Sequence, residues 1–239
     1  MLRWMLITAL VLPASIRAET LIFSEYSYLR HLGSVEEVPV YRVVTDALAR
    51  VGYDYEVRFA PVKRAIYQAD SGGSDGLLFQ PYRLKEQYPN LVRVEYQLFS
   101  TSIYLYADNK PRAYDICKQR IGMLSGYEQI AIQLSDMFNC DKPIQPFYAK
   151  YLHQLNNMMQ GGRLDWISAP EALEQYLSAQ RQTPLYRLEE SDINISIYMY
   201  LSARNHHLAK PIAQALEQTY HELGITSDKF PFSNYPERK

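Results

Sequence analysis

Chemistry in a globular chain concentrates where apolar runs end, because the loops that follow are free to present side chains. The run Leu21-Ile22-Phe23 is followed by Glu25, Tyr26 and Tyr28, and the run Leu77-Leu78-Phe79 by Gln80, Tyr82 and Arg83. Phenols, an amide and a guanidinium suit recognition of a small polar molecule, and Arg83 offers a planar fork for an anion. Further on, Ser125-Gly126-Tyr127 opens a helical pattern, whose free backbone N–H groups favour an anion, and Ser168 ends the run Trp166-Ile167. The chain has 21 tyrosines, and a tyrosine-rich site suits flat or amphipathic ligands. The plainer reading of each residue is an ordinary surface or packing role.

Bond-breaking machinery is not evident. There is no G-x-S-x-G, no H-E-x-x-H, and no Cys/His pairing at a helix start. No Cys or His stands at ligand spacing to Cys117 or Cys140, and the adjacent His206 and His207 would diverge on a helix, so no metal and no cofactor is expected. Asp75 and Asp165 could be catalytic acids. Each, however, closes the same phrase, SGGSDGLLFQ at 71–80 and QGGRLDWISA at 160–169: two glycines, an aspartate, then a burst of apolar residues. An aspartate between a helix stop and the start of a buried strand reads as structural.

The elements that would position these groups follow from periodicity. Pro39 begins a helix with Val40, Val43, Val44, Ala47, Leu48 and Val51 on one stripe, and Gly52 ends it. Tyr53, Tyr55, Val57 and Phe59 alternate as a strand, Pro61 starts a second helix, and Leu77-Leu78-Phe79 reads as a central parallel strand. The order β-α-β-α-β implies an open α/β sheet. A similar unit follows: a strand from Gln119 to Leu124, a helix from Tyr127 to Phe138, a helix through Leu152 and Met159, and a strand at Trp166.

The chain starts Met1-Leu2-Arg3-Trp4, stays apolar to Leu12, and turns to small residues before Ala18, the pattern of a signal peptide spanning 1–18. Its apolar core is shorter than the ~20 residues that span a bilayer, and no later segment reads as transmembrane. Export to the periplasm is therefore expected, with no stable membrane insertion. The formal net charge of −1 gives no basic field for nucleic acid. In an oxidising compartment Cys117 and Cys140 are expected to form a disulfide, with two buried thiols as the alternative.

The string PVYRVVTDALARVGYDYEVRFAPVKRAIYQADSGGSDG, beginning at Pro39, resembles the extracellular solute-binding protein family 3, the amino-acid-type periplasmic binding proteins of ABC importers. The similarity continues through Ile121-Gly122-Met123, Ser125-Gly126, Gly162-Arg163-Leu164-Asp165 and a tail from Leu201 to Leu223. It implies a two-lobed, type II periplasmic-binding-protein clamp, each lobe an open α/β sheet with flanking helices, joined by a two-strand hinge. Lobe 1 would be 19–102 plus 198–239 and lobe 2 103–197, with crossings from Ser102 to Tyr106 and from Ile193 to Leu201. A small-molecule ligand would sit at the carboxyl ends of the strands. Arg64, in the Pro61-Val62-Lys63-Arg64 segment, joins the candidates for the cleft.

Two departures bear on the ligand. The family's carboxylate-binding arginine falls on Gln87, with Arg83 nearby as in a subset of relatives, and its ammonium-binding acid falls on Pro170, beside Glu171. The expected function is capture of a small polar or anionic organic solute, by a monomer serving an ABC transporter's membrane component. The alternatives are an enzyme on the same fold, similar to cyclohexadienyl dehydratases and using Glu25 or Glu171, or a protein that senses a ligand for a receptor.

Overall fold

The computed structural model of the 239-residue chain describes residues 18–32, 38–81, 84–110, 115–179 and 185–229. The signal-peptide segment lies outside them apart from Ala18. In chain order the regular elements are β1 (Glu19–Tyr26), α1 (Pro39–Arg50), β2 (Tyr53–Ala60), α2 (Val62–Asp70), β3 (Gly76–Pro81), α3 (Leu84–Gln87) and β4 (Leu91–Ala107). There follow β5 (Ile121–Leu124), α4 (Glu128–Met137), β6 (Phe147–Ala149), α5 (Leu152–Gln160), β7 (Trp166–Pro170), α6 (Glu174–Ala179), β8 (Tyr186–Ser202) and α7 (Ala209–Leu223). The apolar stripe of α1 (Val40, Val43, Val44, Ala47, Leu48) is buried against Ile212, Leu216 and Tyr220 of α7. Short 3-10 turns fill several connections.

All eight strands hydrogen-bond into one sheet in the order β2-β1-β3-β8-β4-β7-β5-β6. The two halves are therefore not separate sheets, because β4 and β8, 17 residues each, pair antiparallel along their whole length from Leu91↔Ser202 to Ala107↔Tyr186. The crossings read from the sequence, Ser102 to Tyr106 and Ile193 to Leu201, cover only the later part of each strand. Strand β8 carries Glu189, Glu190 and Asp192 in its first half, and charged side chains on an exposed ribbon hide the apolar alternation.

The pairing fixes where a site can form. Strand β3 lies antiparallel to β8 and ends with Pro81 opposite Ile197, which in turn faces Phe99 of β4. From the other side β7 runs antiparallel to β4 and ends with Pro170 opposite Ile103, which faces Ile193. Strands β1 and β2 run parallel to β3, and β5 and β6 run parallel to β7. Both parallel sets thus point their carboxyl ends at the middle of the β4–β8 ribbon.

The repeated phrase builds the same joint at the far end of each set. The Asp75 carboxylate accepts the Ile22 N–H at 2.7 Å while the Asp75 N–H donates back to the Ile22 carbonyl at 2.6 Å. The Asp165 carboxylate accepts the Arg120 N–H at 2.8 Å, and the Asp165 N–H donates back at 2.8 Å. In both joints a glycine with positive φ, Gly72 at +76° or Gly162 at +66°, ends the preceding helix. Burial works against the Asp75 anion, but the Ile22 amide, Asn205 and Arg204 hold its carboxyl below the ordinary range. Hydrogen bonds from Arg120 do the same for Asp165.

Cys117, in a 3-10 turn before β5, and Cys140, just after α4, form a disulfide with Cα atoms 5.4 Å apart.

Candidate functional site

A cavity of about 310 Å³ opens where the two sets of carboxyl ends converge, the lower end of the range for small-molecule sites. Its floor is the middle of the ribbon, Phe99, Thr101 and Ile103 of β4 with Asn194 to Ile197 of β8. One wall comes from the β1–β3 half, with Tyr26, Tyr28, Tyr41 and Phe79; the other from the β5–β7 half, with Gly126, Tyr127, Ile130, Gln133 and Leu173.

Direct contacts join the walls. The Tyr28 and Tyr127 hydroxyls are hydrogen-bonded at 2.6 Å, and Lys63 of α2 pairs with Glu128 of α4 at 3.0 Å. Gly126 has φ +104°, and a Cβ there would lie 2.3 Å from Val62 Cγ1. A side chain at 126 is thus excluded by the opposite wall as well as by the backbone. The cleft is shut in this structure.

Behind the first wall lies a buried polar relay. Glu25 is fully buried and accepts the N–H groups of Tyr26 (3.0 Å), Leu78 (3.2 Å) and Phe79 (2.9 Å), and the Gln80 amide at 3.3 Å. The Tyr26 hydroxyl donates to Gln80 Oε1. Burial outweighs the three backbone hydrogen bonds and pushes the Glu25 carboxyl up to about 8. Burial also raises the Tyr26 and Tyr28 hydroxyls far above their ordinary range and Tyr127 to about 12. All three phenols are therefore neutral hydrogen-bonding groups at physiological pH.

Of the candidates read from the sequence, Tyr26, Gly126 and Tyr127 line the cavity. Gln80 stands one layer back, through its bonds to Tyr26 and Glu25. Ser168 is buried in β7 and Arg64 is exposed on α2; neither is in the lining. Ser125 is also outside it. Its N–H donates to the Ala149 carbonyl at 2.9 Å, and the Tyr127 N–H to the Leu124 carbonyl at 3.1 Å. Tyr82 and Arg83 lie outside the described residues, although Pro81 and Leu84 on either side of them line the cavity. Gln87 and Pro170, the two departures, both line it as well.

Tyr41, Gln133, Thr101 and Asn194 were not singled out from the sequence. Tyr41 lies in the first turn of α1, and Gln129 and Gln133 lie one turn apart on α4. Both helices begin just beyond the carboxyl end of a strand, β1 or β5, so polar residues in their early turns were the available signal. Among the described residues no group of His, Cys, Asp and Glu could hold a metal. The two acids named for a dehydratase-like enzyme already have partners: Glu25 as above, and Glu171 in an exposed ion pair with Arg187 at 2.8 Å.

No protein-family model matches the chain, and no curated protein matches it by sequence. Solved structures do resemble it. An ancestral arginine-binding protein bound to glutamine aligns with a TM-score of 0.67 at 14% identity, covering 85% of this chain and 92% of that one. The arginine-, lysine-, histidine-binding protein ArtJ from Geobacillus stearothermophilus aligns at 0.66 with 13% identity, covering 85% and 90%. The chain has the two-lobed fold of the periplasmic binding proteins. A histidine kinase sensor domain with similarity to periplasmic binding proteins shares this binding-protein fold, at a TM-score of 0.68 and 12% identity over 87% of this chain and 92% of that one. Among the described residues no helix is long and apolar enough to cross a membrane.

Proposed function

We propose that the chain is a periplasmic solute-binding protein that closes its two halves, 19–102 plus 198–239 and 103–197, around a small organic solute and presents it to an ABC importer. The observation that carries this reading is the cavity at the converging carboxyl ends, walled from both halves and bridged by Tyr28–Tyr127 and Lys63–Glu128. Such clefts bind ligands by hinge closure. The structural neighbours that bind amino acids support the solute-binding role. Arg83, between two residues that line the cavity, is the proposed partner of an anionic group on the solute.

Ordinary α-amino acids do not fit this proposal. Gln87 and Pro170 supply neither the guanidinium nor the carboxylate that would hold an α-carboxylate and an α-ammonium. The likeness to a kinase sensor domain favours a second reading, in which the closed protein signals to a receptor instead of feeding an importer.

A thermal-shift screen of the purified protein against polyamines, organic acids, amino acids and aromatic metabolites tests the function. A solute at 100 times its Kd should add about 2.7 kcal/mol of stability. If no solute class raises the melting temperature, the solute-binding reading fails.

A further inference from the structure

The lining of the cavity says more about the solute than its outline does. Tyr26, Tyr28 and Tyr127 stand in sequence across the cleft, with ring centroids 5.6 and 6.3 Å apart. Tyr41, Phe79 and Phe99 form a second aromatic run, at 4.9 and 5.7 Å. Leu84, Ile103, Ile195 and Leu173 fill much of the space between. Among the described lining residues only Glu128 carries a charge, and Lys63 already holds it.

Two polar atoms on lining residues are buried and unpaired. Tyr41 is only 2% exposed, and its hydroxyl has no hydrogen-bond partner. Gln133 Oε1 is buried on the opposite wall, and it too has none. Leaving a buried donor or acceptor unpaired costs about 1–3 kcal/mol. Two such atoms, on residues that line one cavity from different halves, are explained if a small turn of each side chain lets a bound molecule pair with both.

We propose that the site takes a compact aromatic or cyclic solute bearing a hydroxyl or N–H group, its ring against the tyrosines and its polar group bridging Gln133 Oε1 and the Tyr41 hydroxyl. This rests on the cavity being the solute site. Zwitterionic amino acids fall outside the class, since among the described lining residues the one charge, on Glu128, is already paired with Lys63.

Calorimetry with defined probes tests the class. 4-Hydroxybenzamide and 4-hydroxybenzoate supply a ring and a donor, with and without a negative charge. N,N-Dimethylbenzamide keeps the ring and has no donor, while L-glutamine, L-arginine and succinate have polar or charged groups and no ring. The ring donors should bind, and N,N-dimethylbenzamide should bind at least about tenfold more weakly, roughly 1.4 kcal/mol. Tyr41→Phe and Gln133→Leu should each weaken the ring donor by at least about tenfold, and Tyr41→Phe should do so without lowering the melting temperature, since its deleted hydroxyl has no partner in the protein. Binding of glutamine, arginine or succinate in preference to the ring compounds overturns the class but leaves the solute-binding function standing. Variants that bind within about twofold of wild type also overturn it. If none of the probes binds, the compound found by the broader thermal screen decides: a ring donor supports the class, and a ringless solute overturns it. Silence in both experiments ends the function and the class together.

Discussion

Replacing Asp75 with Ala removes one acceptor that serves three donors: the Ile22 N–H, Arg204 Nη2 and Asn205 Nδ2, each at 2.7 Å. The Ile22 amide is left inside the sheet without a side-chain partner, a loss of about 1–3 kcal/mol. The Arg204 pair adds under about 1 kcal/mol, because that arginine is half exposed. The sum is about 1–4 kcal/mol, with its centre near 2–3 kcal/mol. Asp165 performs the same task nearer to solvent, its side chain 31% exposed against 13% for Asp75, and its ion-pair partner Arg120 is 57% exposed. Asp165→Ala should therefore cost less, about 1–2 kcal/mol. A chain of this size loses about 2–4 °C in Tm per kcal/mol, so Asp75→Ala should melt roughly 5–10 °C below wild type and Asp165→Ala within about half of that. Thermal and urea unfolding measure both. Because the Asp75 carboxyl is held below 3.8, its contribution is present at neutral pH and is lost as pH falls through the lowered folded-state value. The two unfolding curves should converge in acid. Equal losses from the two substitutions, or losses under about 0.5 kcal/mol from both, would refute the reasoning.

Glu25 sets the opposite pH trend. The folded protein keeps a proton up to about 8 that the unfolded chain releases near 4.5, so stability should fall as pH rises between those values, by about 5 kcal/mol in all. Denaturant titrations at about pH 5 and pH 9 should show that fall in wild type and a flatter profile in Glu25→Gln; identical profiles would contradict it. Cys117→Ser with Cys140→Ser opens a loop of sequence separation 23 and should lower stability by about 3 kcal/mol, read from the urea midpoint; an unchanged midpoint would show that the bridge contributes nothing. Gly126→Ala forces a methyl against Val62 Cγ1 and should prevent full closure, weakening solute binding at least about tenfold, with partial rescue by Val62→Ala. Unimpaired binding by Gly126→Ala would mean that this contact is not part of the bound state.

The fold was legible because its signals are local. The α1 stripe, the proline helix starts and the twin glycine–aspartate joints each lie within about one turn of the residues they organise, and all are present as read. The ribbon was only half legible, since the ends of β4 and β8 are held by each other across 111 and 79 positions of sequence (Leu91↔Ser202, Ala107↔Tyr186) and not by local pattern. The lining of the cavity was legible at Tyr26, Gly126 and Tyr127, which stand two or three residues past apolar runs. It was not legible at Tyr41 and Gln133, whose neighbours in sequence, Val40 and Leu134, mark them as helix-face residues; only the convergence of both halves brings them to one cavity.

Calorimetric titration of the solute found by the thermal screen, into wild type and into Ser196→Trp, tests the clamp most directly, because Ser196 lies on the cavity floor at the ribbon's midpoint. An indole there would occupy the space between the walls. The expected result is one site per chain with a negative heat-capacity change in wild type, and a loss of affinity of at least about a hundredfold in the variant. Undiminished binding by Ser196→Trp, with its melting temperature unchanged, would place the solute elsewhere and contradict the assignment of this cavity as the binding site.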